Sequence, residues 1–102
     1  MTILDFIEAW WFSMEKLMEI HSVAGKFERS PVDRPNPSCS LNVHNCDLEV
    51  DLLVWESGEA ELATAEQDGS IQQKHFDDIR TSLKLGEVLS RIAGLAFPSG
   101  KI

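Results

Sequence analysis

Cys39-Ser40-Leu41-Asn42-Val43-His44-Asn45-Cys46-Asp47-Leu48-Glu49-Val50-Asp51-Leu52 decides the fold, because apolar and polar residues alternate along both of its halves. A period of two belongs to strands with one buried face. If His44-Asn45 is a two-residue turn, Val43 faces Cys46, Leu41 faces Leu48 and Cys39 faces Val50, and every apolar side chain falls on one side of a hairpin. The same register holds Cys39 and Cys46 too far apart along the ladder for a disulfide, so both read as buried thiols of a reducing compartment.

Downstream, a tight connection at Glu56-Ser57-Gly58 returns the chain into Glu59-Ala60-Glu61-Leu62-Ala63-Thr64. Asp68-Gly69 then signals a hairpin into Ser70-Ile71-Gln72-Gln73-Lys74-His75-Phe76. The expectation is a four-stranded antiparallel meander. Upstream, the prolines Pro31, Pro35 and Pro37 within Ser30–Ser38 forbid helix and favour an extended connecting loop.

Helical spacing brackets the strands on both sides. From about Thr2 to His21, Ile3, Ile7, Trp10, Met14, Leu17 and Met18 recur every three or four residues, with Thr2 placed to cap and Asp5 in the first turn. Trp10 and Trp11 lie on or beside this stripe and are expected in the core. From about Asp78 to Ala96, Ile79, Leu83, Leu85, Val88, Leu89, Ile92 and Leu95 repeat the period before Pro98 ends it, with Asp77-Asp78 at a helix start. Two apolar helix faces and one apolar sheet face are satisfied together if both helices lie on one face of the sheet. The chain reads as a single α+β domain over residues 1–102: helix, four-stranded meander, helix.

Nine Lys and Arg against seventeen Asp and Glu give a formal charge of −8, which opposes direct binding to a nucleic-acid backbone and favours a basic partner or simple solubility. No apolar run approaches the roughly 20 residues of a membrane span. The start Met1-Thr2-Ile3-Leu4-Asp5 lacks the marks of a secretory signal, so the expected location is the cytoplasm.

If Leu48, Val50, Leu52 and Val54 point at the helices, Asp47, Glu49, Asp51, Leu53 and Trp55 point the other way, joined by Glu59 and Glu61 on the next strand. Carboxylates that close repel one another, and a basic partner would relieve the repulsion. Trp55, an aromatic ringed by charge, has the composition of a binding hot spot, unless a loop of its own chain covers it. Phe12 falls opposite the stripe of the first helix, among Asp5, Glu8, Glu15 and Glu19, and is a second candidate docking surface.

Little in the chain suggests catalysis. His21, His44 and His75 lie on three different elements, and no Cys or His pair has the spacing of a zinc site. There is no phosphate loop or nucleophile elbow, and the carboxylates sit on a solvated face rather than in a pocket. The expectation is a non-enzyme without metal or cofactor. His75 is expected to face the helices as a core or boundary residue, with a pH-sensitive contact as the alternative.

The run Leu52-Leu53-Val54-Trp55-Glu56-Ser57-Gly58-Glu59-Ala60-Glu61-Leu62 resembles the TriTu family of immunity proteins, found beside toxins of bacterial polymorphic and contact-dependent growth inhibition systems. The resemblance continues through Asp68-Gly69, Lys74-His75-Phe76 and the carboxy-terminal helix, and its core is Trp55-Glu56-Ser57-Gly58. It implies a cytoplasmic antidote, monomeric in a one-to-one complex, that blocks the active site of a toxin domain. Many such toxins are nucleases, whose clefts are basic to hold phosphate, and an RNase is the first choice. The residues expected to meet the toxin are Asp47, Glu49, Asp51, Trp55, Glu59 and Glu61, with Phe12 marking the alternative face. A rival reading is a non-catalytic adaptor or subunit that holds a basic housekeeping protein through the same surface.

Overall fold

The computed structural model describes residues 2–31, 33, 35–45 and 48–96. The chain runs α1 (Ile3–Ile20), β1 (Ala24–Arg29), β2 (Ser38–His44), β3 (Leu48–Trp55), β4 (Ala60–Glu66), β5 (Ile71–Phe76) and α2 (Ser82–Ala96). The strands form one antiparallel sheet in the order β1-β2-β3-β4-β5. The architecture is therefore α+β with a helix at each end, but the meander has five strands rather than four.

The additional strand, β1, lies between the first helix and the expected proline-bearing loop, in a stretch whose sequence pattern marks no element. Its alternation is weak because Phe27 is the one large apolar residue among Gly25, Lys26, Glu28 and Arg29. α1 supplies what the strand lacks. Trp11 stacks on Phe27 with ring centroids 6.3 Å apart, and a Cβ added at Gly25 would come within 2.5 Å of the Trp11 ring. Gly25 is thus the gap into which the indole fits.

α1 opens with a reciprocal cap, in which Thr2 Oγ1 accepts the Asp5 N–H and Asp5 Oδ2 accepts the Thr2 N–H, both at 3.1 Å. It closes through Ser22, whose φ of 57° turns the chain back toward the sheet while the Val23 N–H donates to the Met18 carbonyl at 2.8 Å. Its buried stripe is Leu4, Ile7, Trp11 and Met18, rotated by about one residue from the expected one. Trp11 is fully in the core, Trp10 packs half-buried against it, and Leu17 is 45% exposed.

The β2–β3 register also differs from the expected hairpin. Val43 pairs with Val50, Leu41 with Leu52 and Cys39 with Val54, so each partner lies four residues further along than a His44-Asn45 turn would place it. The chain instead reverses with the Asn45 N–H donating to the Leu48 carbonyl at 2.9 Å. An even offset leaves every side chain on its face, whereas an odd one would have turned the apolar set outward. Cys39 is 2% exposed, and burial pushes its thiol up to about 12. Cys46 lies outside the described residues, and its expected partner Val43 pairs with Val50 instead.

α2 begins at Ser82, later than the expected Asp78. The intervening segment is nonetheless anchored: Ile79 is fully buried, and its N–H donates to the Gly58 carbonyl at 2.9 Å. Asp78 accepts from the Nε and Nη2 of the Arg80 guanidinium and from the Arg80 backbone N–H, which hold the carboxyl down to about 2. One apolar cluster joins Leu4, Ile7 and Trp11 of α1, Leu85, Val88, Leu89 and Ile92 of α2, and the inward residues of β2, β3 and β4. Both helices therefore share one face of the sheet, and the opposite face is uncovered by them.

Candidate functional site

The register assembles the uncovered face row by row. One row runs His44, Glu49, Ala65, Ile71; the next runs Lys26, Asn42, Asp51, Ala63, Gln73; a third runs Glu28, Ser40, Leu53, Glu61, His75. At the end of the sheet Trp55 lies between Ser38 and Glu59, whose carbonyl accepts the Trp55 N–H at 2.9 Å. The face thus brings together Glu49, Asp51, Leu53, Trp55, Glu59 and Glu61, as the alternation in the sequence implied. Asp47 lies outside the described residues.

Glu28 and His75 were not placed on this surface by the sequence. Glu28 belongs to β1, the strand the sequence hid. His75 does not face the helices: it stands beside Glu61, with Nδ1 2.9 Å from Glu61 Oε1 and Nε2 3.3 Å from Asp77 Oδ1. The hydrogen bond to Glu61, and then the charges of Glu61, Asp77 and Glu59, raise the His75 pKa above its ordinary value.

The acidic side chains are held in order by polar neighbours rather than by cations alone. Asn42 Nδ2 donates to Glu49 Oε2 at 2.8 Å and to Asp51 Oδ1 at 2.7 Å, bridging two carboxylates that alternate along β3. Lys26 sits 3.4 Å from Glu28, a pair so exposed that water screens most of its attraction. Where the side chains of Ser40 and Ala63 are short, the surface dips into a concavity of about 290 Å³ lined by Glu28, Asp51, Leu53 and Glu61. Leu41 and Leu52 add apolar surface to it, and Lys26 and Asn42 line it beside the carboxylates.

Trp55 is half-buried. The proline-bearing segment is fastened beside it, since the Glu56 N–H donates to the Pro37 carbonyl at 2.8 Å and the Ser57 N–H donates to Asn36 Oδ1 at 3.2 Å. That fastening fixes the turn that carries Trp55 while leaving part of the indole in solvent.

Phe12 does not join these residues. It is 58% exposed on α1, on the helical side of the molecule, with its ring 6.3 Å from Phe27. Two of its expected acidic neighbours are already engaged, for Arg29 Nη1 lies 2.9 Å from Asp5 and 2.7 Å from Glu8. A second hollow, of about 510 Å³, lies between the helices and is lined by Ile3, Phe6, Leu85 and Gly86, with Glu56 and Arg80 at its polar end. Among the described residues no grouping of His, Cys, Asp and Glu has the arrangement to hold a metal ion, and no helix is long and apolar enough to cross a membrane.

Comparisons with protein-family models, with curated proteins and with solved structures returned no match.

Proposed function

We propose that this chain is an immunity protein that binds a cognate toxin domain, a nuclease and in the first instance an RNase, and occludes its basic active site with the open face of the sheet. The observation that carries the reading is the composition of that face. Glu28, Glu49, Asp51, Glu59 and Glu61 outnumber Lys26 and His75 around the partly exposed Leu53 and Trp55 on a hydrogen-bonded sheet. Carboxylates that repel one another in the free protein gain from meeting a basic cleft, and the two apolar side chains supply a desolvated centre. Preorganised strands lose little freedom on binding, which favours affinity. The resemblance around Trp55-Glu56-Ser57-Gly58 supports the same reading from the sequence side.

The test is capture of the product of the adjacent gene by this protein, followed by a nuclease assay with and without it. Stoichiometric capture with loss of nuclease activity supports the proposal. If that product is neither bound nor inhibited, and a basic housekeeping protein is retained instead through Asp51 and Glu61, the protein is an adaptor.

A further inference from the structure

The two edges of the sheet are not equivalent. Along an antiparallel ladder, successive residues turn their N–H and C=O groups alternately to one side and the other. The Glu66 N–H donates to the Ser70 carbonyl at 2.9 Å, which sets the alternation for β4 and β5: Gln72, Lys74 and Phe76 turn toward β4, and Ile71, Gln73 and His75 turn outward. On β1 the bond from the Ser30 N–H to the Ser38 carbonyl, also 2.9 Å, turns Gly25, Phe27 and Arg29 outward. The Phe27 and Arg29 side chains meet α1, through the Trp11 and Phe12 rings on Phe27 and the Asp5 and Glu8 carboxylates on Arg29, and β1 carries in Lys26, Glu28 and Arg29 the charges that ordinarily protect an edge.

β5 has no such guard. It is exposed from Ile71 to His75, contains no proline and no carboxylate, and pairs with β4 in unbroken register. Edge strands are ordinarily protected by charge, proline or a bulge. The one permanently charged side chain here, Lys74, reaches back so that Nζ lies 5.2 Å from the centre of the Phe76 ring. Ile71, at the start of the strand, is 68% exposed.

We propose that β5 is a self-association edge, on which a second copy of this chain adds its own β5 antiparallel to make one sheet continuous across both copies. The occupant follows from the self-complementarity of Ile71-Gln72-Gln73-Lys74-His75. A two-fold axis through Gln73 sets Ile71 opposite the second copy's His75 and Gln72 opposite the second copy's Lys74, so no like charges are directly opposed. All three outward residues then pair with outward residues, and both backbone groups of each are satisfied. Centring the axis on Lys74 would oppose two ammonium groups and leave Ile71 unpaired; centring it on Gln72 would leave His75 unpaired. A net charge of −8 resists contact between copies over most of the surface, and β5 is the edge strand free of acidic residues. Because the second copy extends the sheet in its own plane, the open face stays accessible.

Sedimentation velocity over a concentration series tests this without any toxin. The expected result is a rise from 11.4 kDa toward twice that mass with increasing concentration. Gln73→Pro removes an outward N–H and spares the bonds to β4, so it should abolish the dimer while the circular dichroism spectrum is retained. Gln73→Lys places two cations across the axis and should weaken association at least tenfold, with recovery in high salt. A protein that stays monomeric up to millimolar concentration, or a dimer whose dissociation constant is unchanged by both substitutions, overturns the proposal.

Discussion

His75 and Glu61 face each other across the β4–β5 pair, with His75 Nδ1 2.9 Å from Glu61 Oε1. Asp77 approaches the other ring nitrogen at 3.3 Å, so the imidazolium is flanked by carboxylates on both sides. The folded protein therefore holds the His75 proton more tightly than the unfolded chain does. The resulting stability is fully present below the ordinary histidine value of 6.5 and is lost as pH rises through the higher folded value. A two-dimensional NMR titration should place the His75 midpoint above 6.5, and Glu61→Gln should move it down. The difference in urea midpoint between the parent and His75→Gln should be largest in mildly acidic solution and shrink toward alkaline pH. A difference that grows with pH would contradict the pairing.

Gly58 sits with φ at +105°, donates to the Trp55 carbonyl at 2.9 Å and accepts from Ile79 at 2.9 Å, closing the turn that presents Trp55. A side chain there is strained by that φ and would also meet the Asp78 carboxylate and the Arg80 side chain. Gly58→Ala is expected to cost about 1–3 kcal/mol in urea denaturation, the range for a non-glycine residue forced into such a conformation. A change within experimental error would mean that the turn relaxes freely.

Ile79 is fully buried although it belongs to a connection rather than to a helix or strand, whereas Leu83, on the first turn of α2, is 73% exposed. Ile79→Ala should therefore lose about 2–5 kcal/mol, the usual cost of removing a buried branched side chain and leaving its cavity. Leu83→Ala should change stability by no more than about 0.5 kcal/mol. Equal effects at the two positions would show that the Asp77–Thr81 segment is not part of the core.

The contrast between these residues shows what the sequence could and could not reveal. Alternation at Leu41, Val43, Val50 and Leu52 exposed the sheet and its buried face, because period two survives any even shift of register. The register itself was hidden, since it depends on a turn at Asn45 that lacks a diagnostic glycine. β1 escaped because its burial is supplied from elsewhere: Gly25 contributes no side chain, and Trp11 fills the space. Glu28 was missed as a consequence. The face of His75 is not legible in the sequence, because Gln72 and Lys74, on the helix side of β5, are exposed and polar like Gln73 and His75, so no polarity difference marks the two sides. The acidic face around Glu49, Asp51, Trp55 and Glu61 was legible because it needs only the alternation and the charges.

Cys39 offers a test of that buried face. With its thiol pushed up to about 12 by burial and only 2% of its surface exposed, it should resist a disulfide reagent in the folded protein, even in mildly alkaline solution. In a Cys46→Ser background, reaction should be slow under native conditions and reach the rate of a free thiol in concentrated guanidinium. Rapid native reaction would place Cys39 on the solvent side of β2.

Charge and anchor should separate kinetically at the proposed toxin interface. Asp51 and Glu61 line the concavity and act at long range, so the double substitution Asp51→Lys, Glu61→Lys should slow association by about tenfold or more at low salt and flatten its salt dependence. Trp55 acts only on contact. Trp55→Ala should leave the association rate nearly unchanged and speed dissociation, with a loss of about 2 kcal/mol or more if the indole is a buried anchor in the complex. Asn42→Ala tests the ordering between them, because it frees Glu49 and Asp51 from a shared donor at 2.8 and 2.7 Å without altering the net charge. Its expected effect is faster dissociation at a steady association rate, since long-range steering depends on charge and close fit depends on where the carboxylates are held. Surface plasmon resonance with the captured toxin domain resolves the two rates. If Trp55→Ala changed neither rate while Phe12→Ala abolished binding, the interface would lie on α1 and not on the sheet.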